Sequence, residues 1–192
     1  TKNGVTSSSS SGNFRASNWT TGSIDGGVAG GAIDLTDYFE FTITAASGFT
    51  ISNPTLNFGV GRSGTGPRRF QWRWSVDNYV NALTVGTVNG SISNASGVLT
   101  TPDANSGYAG NQINTTTSGQ TTITFRFYAY GAEALDGTGG LQGNLTFGGT
   151  LVPISSLPVT WNQVDVNVLE QGNELHWSTS SEQNTSHFEV EY

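Results

Sequence analysis

The residues able to carry chemistry are few in this sequence, and their spacing narrows what the chain can do. Imidazole comes only from His176 and His187. His176 sits between Leu175 and Trp177, and His187 beside Phe188. A two-residue period puts neighbours on opposite faces of a strand, so both histidines are expected to face solvent on different strands. There they can neither activate a nucleophile nor share a metal. The serine run Ser7 to Ser11 lacks the Gly-x-Ser-x-Gly setting of a strand-to-helix elbow and reads as loop. No catalytic residue is expected, and the chain does not read as an enzyme. Asn-x-Ser/Thr triplets such as Asn18-Trp-Thr20 and Asn144-Leu-Thr146 arise readily in a chain rich in Asn and Thr, and carry no function.

Asp25, Asp34 and Asp37 surround a glycine-rich loop, which would gather oxygen ligands for a hard cation such as calcium. No Asp-x-Asp-x-Asp spacing accompanies them. The competing reading is that each aspartate caps a turn through its own backbone. No other cofactor is implied.

The least ordinary segment sets Arg62, Arg68, Arg69 and Arg73, four of the seven cationic residues, among Phe70, Trp72 and Trp74. Alternation sends Phe70, Trp72 and Trp74 one way and Arg69, Gln71 and Arg73 the other. Two readings follow. Trp72 and Trp74 with Arg69 and Arg73 would form a ligand site, the indoles stacking on sugar rings and the guanidiniums gripping hydroxyls or uronic carboxylates. Alternatively the aromatic side is a core strand, with Arg73 paired to a carboxylate on a neighbouring strand.

The elements that would position these groups are all strands. Phe39, Phe41 and Ile43 alternate with Glu40, Thr42 and Thr44 until Gly48. Leu56, Phe58 and Val60 repeat the pattern. The turn Arg62 to Pro67 then leads into Arg69 to Val76, which together read as a hairpin. Leu83 to Val88, Ile92 and Val98 to Leu99 suggest edge strands. Ile123, Phe125, Phe127 and Ala129 opposite Thr124, Arg126, Tyr128 and Tyr130 give the longest clean alternation, expected mid-sheet. Gly131 to Gly143 reads as a loop, and Leu145, Phe147 and Gly149 as a closing strand. Pro153 to Pro158 breaks the pattern.

Beyond it, Trp161, Val164, Val166 and Val168 lead to Gly172, then Leu175 and Trp177 alternate with polar residues, and Phe188, Val190 and Tyr192 suggest a third strand. The expected architecture is all-β: an antiparallel jelly-roll-like β-sandwich over 1–152, a linker over 153–160, and an incomplete immunoglobulin- or fibronectin-like β-sandwich over 161–192. Composition agrees. Gly 26 with only 11% charged residues suits short strands and tight turns, and 34% hydrophobic residues suffice for a core. A net charge of -7 opposes attraction to phosphate backbones and anionic lipid, so neither nucleic acid nor membrane insertion is expected. Cys 0 removes disulfides and thiolate chemistry, and Met 0 suggests a processed or excised piece whose export signal lies outside these residues.

Leu157-Pro-Val-Thr160, Asn173-Glu-Leu-His-Trp-Ser-Thr179 and Glu182 to Glu191 resemble a module common in secreted Bacteroidetes proteins. That module is a fibronectin type III-like or immunoglobulin-like sandwich that usually precedes a type IX secretion sorting domain. Phe14 to Thr20, Asp37 to Thr42, Arg62 to Arg68 and Phe125 to Gly131 resemble a lectin-like or jelly-roll-like domain found beside nucleases, adhesins and glycan-active enzymes. That family's pattern has a further strand before the position of Thr1, and here Gly26 to Ile33 lengthens a loop usually short. The resemblance implies an extracellular or cell-surface location and a non-catalytic structural or adhesive module. The alternative it leaves is a carbohydrate-binding accessory module of an exported glycan-active enzyme. Expected partners are copies of itself, neighbouring domains of the parent protein, or glycans. Unpaired strand edges at either end would let an extended segment of a neighbour join by strand addition and build a fibre.

Overall fold

The structure is a computed structural model and describes residues 1–8, 13–24, 29–90, 92–102, 107–154, 160–182 and 187–190. It is all-β. The only helical piece among the described residues is a single 3-10 turn, Ser75–Asp77, and no helix is long and apolar enough to cross a membrane. The chain divides into two compact units, Thr1–Val152 and Pro153–Tyr192.

The first unit holds β1 (Lys2–Asn3), β2 (Thr6–Ser8), β3 (Asn13–Ser17), β4 (Tyr38–Thr44), β5 (Phe49–Arg62), β6 (Arg69–Trp74) and β7 (Val85–Thr87). It continues with β8 (Ser93–Ala95), β9 (Val98–Thr100), β10 (Gly107–Asn114), β11 (Thr122–Tyr130), β12 (Gly139–Gln142) and β13 (Thr146–Pro153). A six-stranded sheet runs β1-β4-β11-β6-β9-β8. A seven-stranded sheet runs β2-β3-β12-β5-β10-β7, with β13 also on β5. The chain crosses repeatedly from one sheet to the other, in a jelly-roll-like manner. Alternation decides which side chains meet between them: Phe39, Phe70, Trp72, Phe125 and Phe127 from one sheet are buried with Leu56, Phe58, Val60, Ile113 and Leu141 from the other. Trp19 is fully buried too, and its indole N–H donates to the carbonyls of Ala16 at 2.8 Å and Gly139 at 3.1 Å.

β11 lies between β4 and β6, in the middle of its sheet as its clean period suggests. The hairpin expected across Arg62 to Pro67 is not one. β5 and β6 belong to different sheets, so this turn carries the chain around a corner. What holds the corner is Arg62, whose guanidinium donates to the carbonyls of Gly66 and Gly64 and to Glu133. Gly131 to Gly143 is not loop throughout, since Gly139–Gln142 forms β12. Glycine is needed there because a side chain on Gly139 would strike the Pro67 ring. β10, invisible to alternation, is bulged: Tyr108 pairs with Val60 and Asn111 with Phe58, leaving one extra residue on β10, beside Gly110 at φ 85.

In the second unit β14 (Thr160–Leu169) and β15 (Gly172–Ser181) form an antiparallel hairpin. Val164 faces Trp177 and Val166 faces Leu175 across it. The residues expected as a third strand do not form one where described: His187 to Val190 carry no strand, and Phe188 lies 5.5 Å from Trp161 and 5.8 Å from Trp177 between ring centres. Tyr192 lies outside the described residues.

Candidate functional site

The Arg and Trp segment folds as β6, and alternation sorts it as expected. The aromatic side is core. Trp72 is fully buried, 5.1 Å from Phe127 and 5.5 Å from Phe58 between ring centres, and Trp74 is 9% exposed. Trp72 and Trp74 therefore offer no ring face to a sugar, which corrects the stacking-platform reading for these two residues. The Trp72 indole nitrogen has no acceptor, so volume rather than its donor is what the position uses.

Arg69 and Arg73 emerge on the other side and hold backbone instead of ligand. Arg69 donates to the carbonyls of Ala29 at 2.8 Å and Gly31 at 3.2 Å, clasping the long β3–β4 connection against the sheet. Arg73 donates to the carbonyls of Tyr79 at 2.9 Å and Val80 at 3.2 Å. The carboxylate expected beside Arg73 is not its partner. Arg126 stands opposite Arg73 in the ladder, and Glu40 bonds Arg126 at 2.8 Å.

Arg126, which residue type alone did not single out, centres the most developed polar constellation on this face. Its guanidinium lies 4.2 Å from the Tyr38 ring centre and 3.9 Å from that of Tyr79. Cation–π attraction and the Glu40 ion pair together fix it. Asn78 and Tyr79 have φ of 57° and 60°, the left-handed region, which costs a non-glycine residue about 1 kcal/mol or more. Bonds from Tyr79 N–H to the Trp74 carbonyl and from Arg73 to the Tyr79 carbonyl, both 2.9 Å, hold that backbone. Burial raises the hydroxyl pKa of Tyr128 and Tyr130 on the same face, opposed by nearby arginines. The alternation of Arg126, Tyr128 and Tyr130 was the available signal; Tyr38 and Tyr79, distant in sequence, gave none.

Of the aspartates, Asp25 lies outside the described residues. Asp34 accepts from the Thr36 N–H at 2.8 Å and its hydroxyl at 2.7 Å, which lowers its pKa. Asp37 is buried, and burial, then repulsion from Asp34, raises its pKa. The described parts of the site thus follow the turn-capping geometry, and no group of three His, Cys, Asp or Glu able to hold a metal occurs among the described residues. His176 is exposed, 3.1 Å from Glu174, and His187 is exposed.

An unfinished edge remains. β1 covers β4 only at Tyr38 and Phe39, and Thr1 and Glu40 continue that ladder with reciprocal backbone bonds of 3.0 and 2.8 Å. From Phe41 to Thr44, no strand among the described residues pairs with this side of β4. Next to it the sandwich is open. A cleft of about 620 Å³ is lined by Phe14, Phe41, Leu145 and Phe147, and a second of about 280 Å³ by Ile43, Ile51, Phe147 and Leu151. Phe41, Ile43, Leu145 and Phe147 belong to the core cluster but are only partly buried. No family model matches the chain, and no curated protein or solved structure matches it.

Proposed function

We propose that the chain is a non-catalytic structural or adhesive module of a secreted or cell-surface protein, joining neighbouring chains or domains by strand addition. One observation carries the reading: among the described residues no strand pairs with the Phe41–Thr44 edge of β4, and this edge borders an open, apolar side of the sandwich. An exposed edge offers backbone donors and acceptors to another strand, and partly buried aromatics beside it add apolar area. The arginines of β6 and β11 support a scaffold role, since they brace loops and strands. Secretion and the surface location rest on the resemblance of Leu157 to Glu191 to exported modules.

Sedimentation velocity over a wide concentration range tests this. Association that grows with concentration and is lost in Thr42→Pro is expected, because proline removes the edge N–H and leaves the backbone bonds to β11 in place, losing only the Thr42–Thr124 hydroxyl bond on that side. A protein that stays monomeric at the highest concentration refutes assembly through itself.

A further inference from the structure

In an Asn-Gly pair the backbone nitrogen of the glycine can attack the asparagine side chain with little hindrance, since glycine has no Cβ to block the approach. The sequence has two such pairs, Asn3-Gly4 and Asn89-Gly90, and the fold holds them differently. We infer that Asn3 is a self-modification site: it loses its side-chain amide through attack by the Gly4 nitrogen, and the product loosens β1 from β4.

The fold itself requires glycine at position 4. Its φ is 70°, and a side chain there would run into the Asp37 carboxylate and the Thr36 carbonyl. The least hindered successor is thus imposed on Asn3. Both residues are exposed, and among the described residues neither the Asn3 side chain nor the Gly4 N–H has a hydrogen-bond partner. The bonds of this turn fall elsewhere: the Val5 N–H donates to the Asn3 carbonyl at 2.8 Å, and Asn18 Nδ2 donates to the Gly4 carbonyl at 3.3 Å. Asn89 is the comparison within the same chain. Its N–H donates to the buried Asn111 at 3.1 Å, its Nδ2 to the Ala109 carbonyl at 3.3 Å, and its carbonyl accepts from the Ile92 N–H at 2.9 Å. Turning the Asn89 side chain onto the Gly90 nitrogen breaks the Nδ2 bond, whereas Asn3 has no such bond to break.

Water is the only co-reactant. The Gly4 nitrogen bonds to Asn3 Cγ, the Cγ–Nδ2 bond breaks, and Nδ2 leaves as ammonia with the proton that Gly4 gives up. Water then opens the cyclic imide at either carbonyl, its hydroxyl adding to carbon and its proton returning to the Gly4 nitrogen. Opening at Cγ leaves aspartate. Opening at the backbone carbonyl leaves isoaspartate, in which the main chain runs through Cγ and is longer by a methylene. Aspartate places a new charge next to Gly4, against which the buried Asp37, already repelled by Asp34, is packed. Isoaspartate removes the Asn3 carbonyl from the main chain, and with it the bond that closes the turn to Val5. Val5 is buried in the core, so the added length is taken up by β1, a strand of 2 residues paired to Phe39 and Tyr38.

The test is incubation of the full chain in heavy-oxygen water at mildly alkaline pH, followed by proteolysis and mass spectrometry. Cleavage after Lys2 and Arg15 isolates Asn3 in the peptide 3–15. In the folded protein Asn3 should take up heavy oxygen about tenfold faster than Asn89, and in denaturant, where the bonds around Asn89 are gone, the two rates should converge. Amide hydrogen exchange reads the consequence. After incubation the amides of Val5 and Glu40, bonded to Asn3 and Thr1, should exchange about tenfold faster in the modified fraction. Asn3→Gln, whose longer side chain would have to close a larger and slower ring, should keep its protection at both amides through the same incubation. Equal rates at Asn3 and Asn89 in the folded protein overturn the site, as does slower reaction at Asn3. Heavy oxygen at Asn3 with exchange at Val5 and Glu40 unchanged overturns the loosening of β1, and so does equal loss of protection in Asn3→Gln.

Discussion

Arg62 and Glu133 meet inside the protein, Nη2 to Oε1 at 2.7 Å, with side chains 0% and 4% exposed. The pair ties the corner between the sheets to the stretch after β11, where the N–H groups of Glu133 and Ala134 bond the Thr65 carbonyl at 2.9 and 3.2 Å. Glu133→Ala leaves a buried guanidinium without its counter-charge and should cost about 3–5 kcal/mol. Replacing both partners, as Arg62→Met with Glu133→Leu, removes both desolvation penalties together, although it also removes the bonds to the Gly64 and Gly66 carbonyls, and should cost less than Glu133→Ala alone. Calorimetric melting of the two variants reads the difference. Equal losses would mean that the charges themselves are not what binds the corner.

Trp72→Ala should destabilise by about 3–5 kcal/mol, the usual cost of emptying a large aromatic site in a core. Trp72→Phe should cost clearly less, since the indole N–H it removes has no acceptor. Chemical denaturation measures both. A Trp72→Ala protein of unchanged stability would return the residue to the surface and reopen a ligand role.

Asp37 should make the protein more stable when it is neutral. Its folded-state pKa is raised, by burial first and Asp34 second, so the stability it contributes is fully present below its unfolded value and is lost as pH rises through the folded one. Asp37→Asn should therefore raise the melting temperature at pH 7, by about 2–4 °C for each kcal/mol recovered, and change nothing near pH 3. Asp34 has the opposite sign. Its pKa is lowered by Thr36, so its contribution is present above the unfolded value and fades as pH falls through the folded one. Melting curves of Asp37→Asn and Asp34→Asn across pH separate the two.

Arg69→Met should loosen the connection that Arg69 clasps through Ala29 and Gly31. Each hydrogen bond from a charged donor is worth about 1.5–3 kcal/mol locally. Limited proteolysis within 29–36 should speed up by on the order of tenfold, with little loss in the core strands. Arg69→Lys should not restore protection, because a single ammonium cannot span two carbonyls as the guanidinium fork does.

Melting with and without a chelator should give the same midpoint. Asp34 already accepts two bonds from Thr36, and a side chain on Gly4 would strike the Asp37 carboxylate, so the space around that oxygen is taken. A fall of more than about 2 °C on chelation, on the order of 1 kcal/mol for a chain this size, would instead assign a bound cation to this loop.

Where a strand turns one apolar face toward the core, the sequence spelled it out. The Phe39, Phe41 and Ile43 series and the Ile123 to Ala129 series are β4 and β11, and the Phe70, Trp72 and Trp74 series points inward along β6. β10 escaped notice because its bulge shifts parity, so that Tyr108, Asn111 and Ile113 are buried without a regular period. β12 escaped because two glycines leave no side-chain pattern. The Arg62 to Pro67 turn looked like a hairpin since nothing local distinguishes a turn within a sheet from one between sheets; Glu133, 71 residues away, makes that choice. Distance in sequence also hid the site around Arg126, whose partners Glu40, Tyr38 and Tyr79 come from other elements.

The bulge in β10 also sorts the strands by how they would tolerate a change in chain length. Excising Gly110, which has no neighbouring atom within 4 Å where a side chain would project, removes the surplus residue and leaves Tyr108 and Ile113 turned toward the same interior. Excising one residue from the middle of β11 would instead rotate half its aromatics into water, since its ladder with β4 and β6 has no slack. Insertions and deletions of a single residue should accumulate among descendants of this sequence at Gly110 and be purged from Thr122–Tyr130.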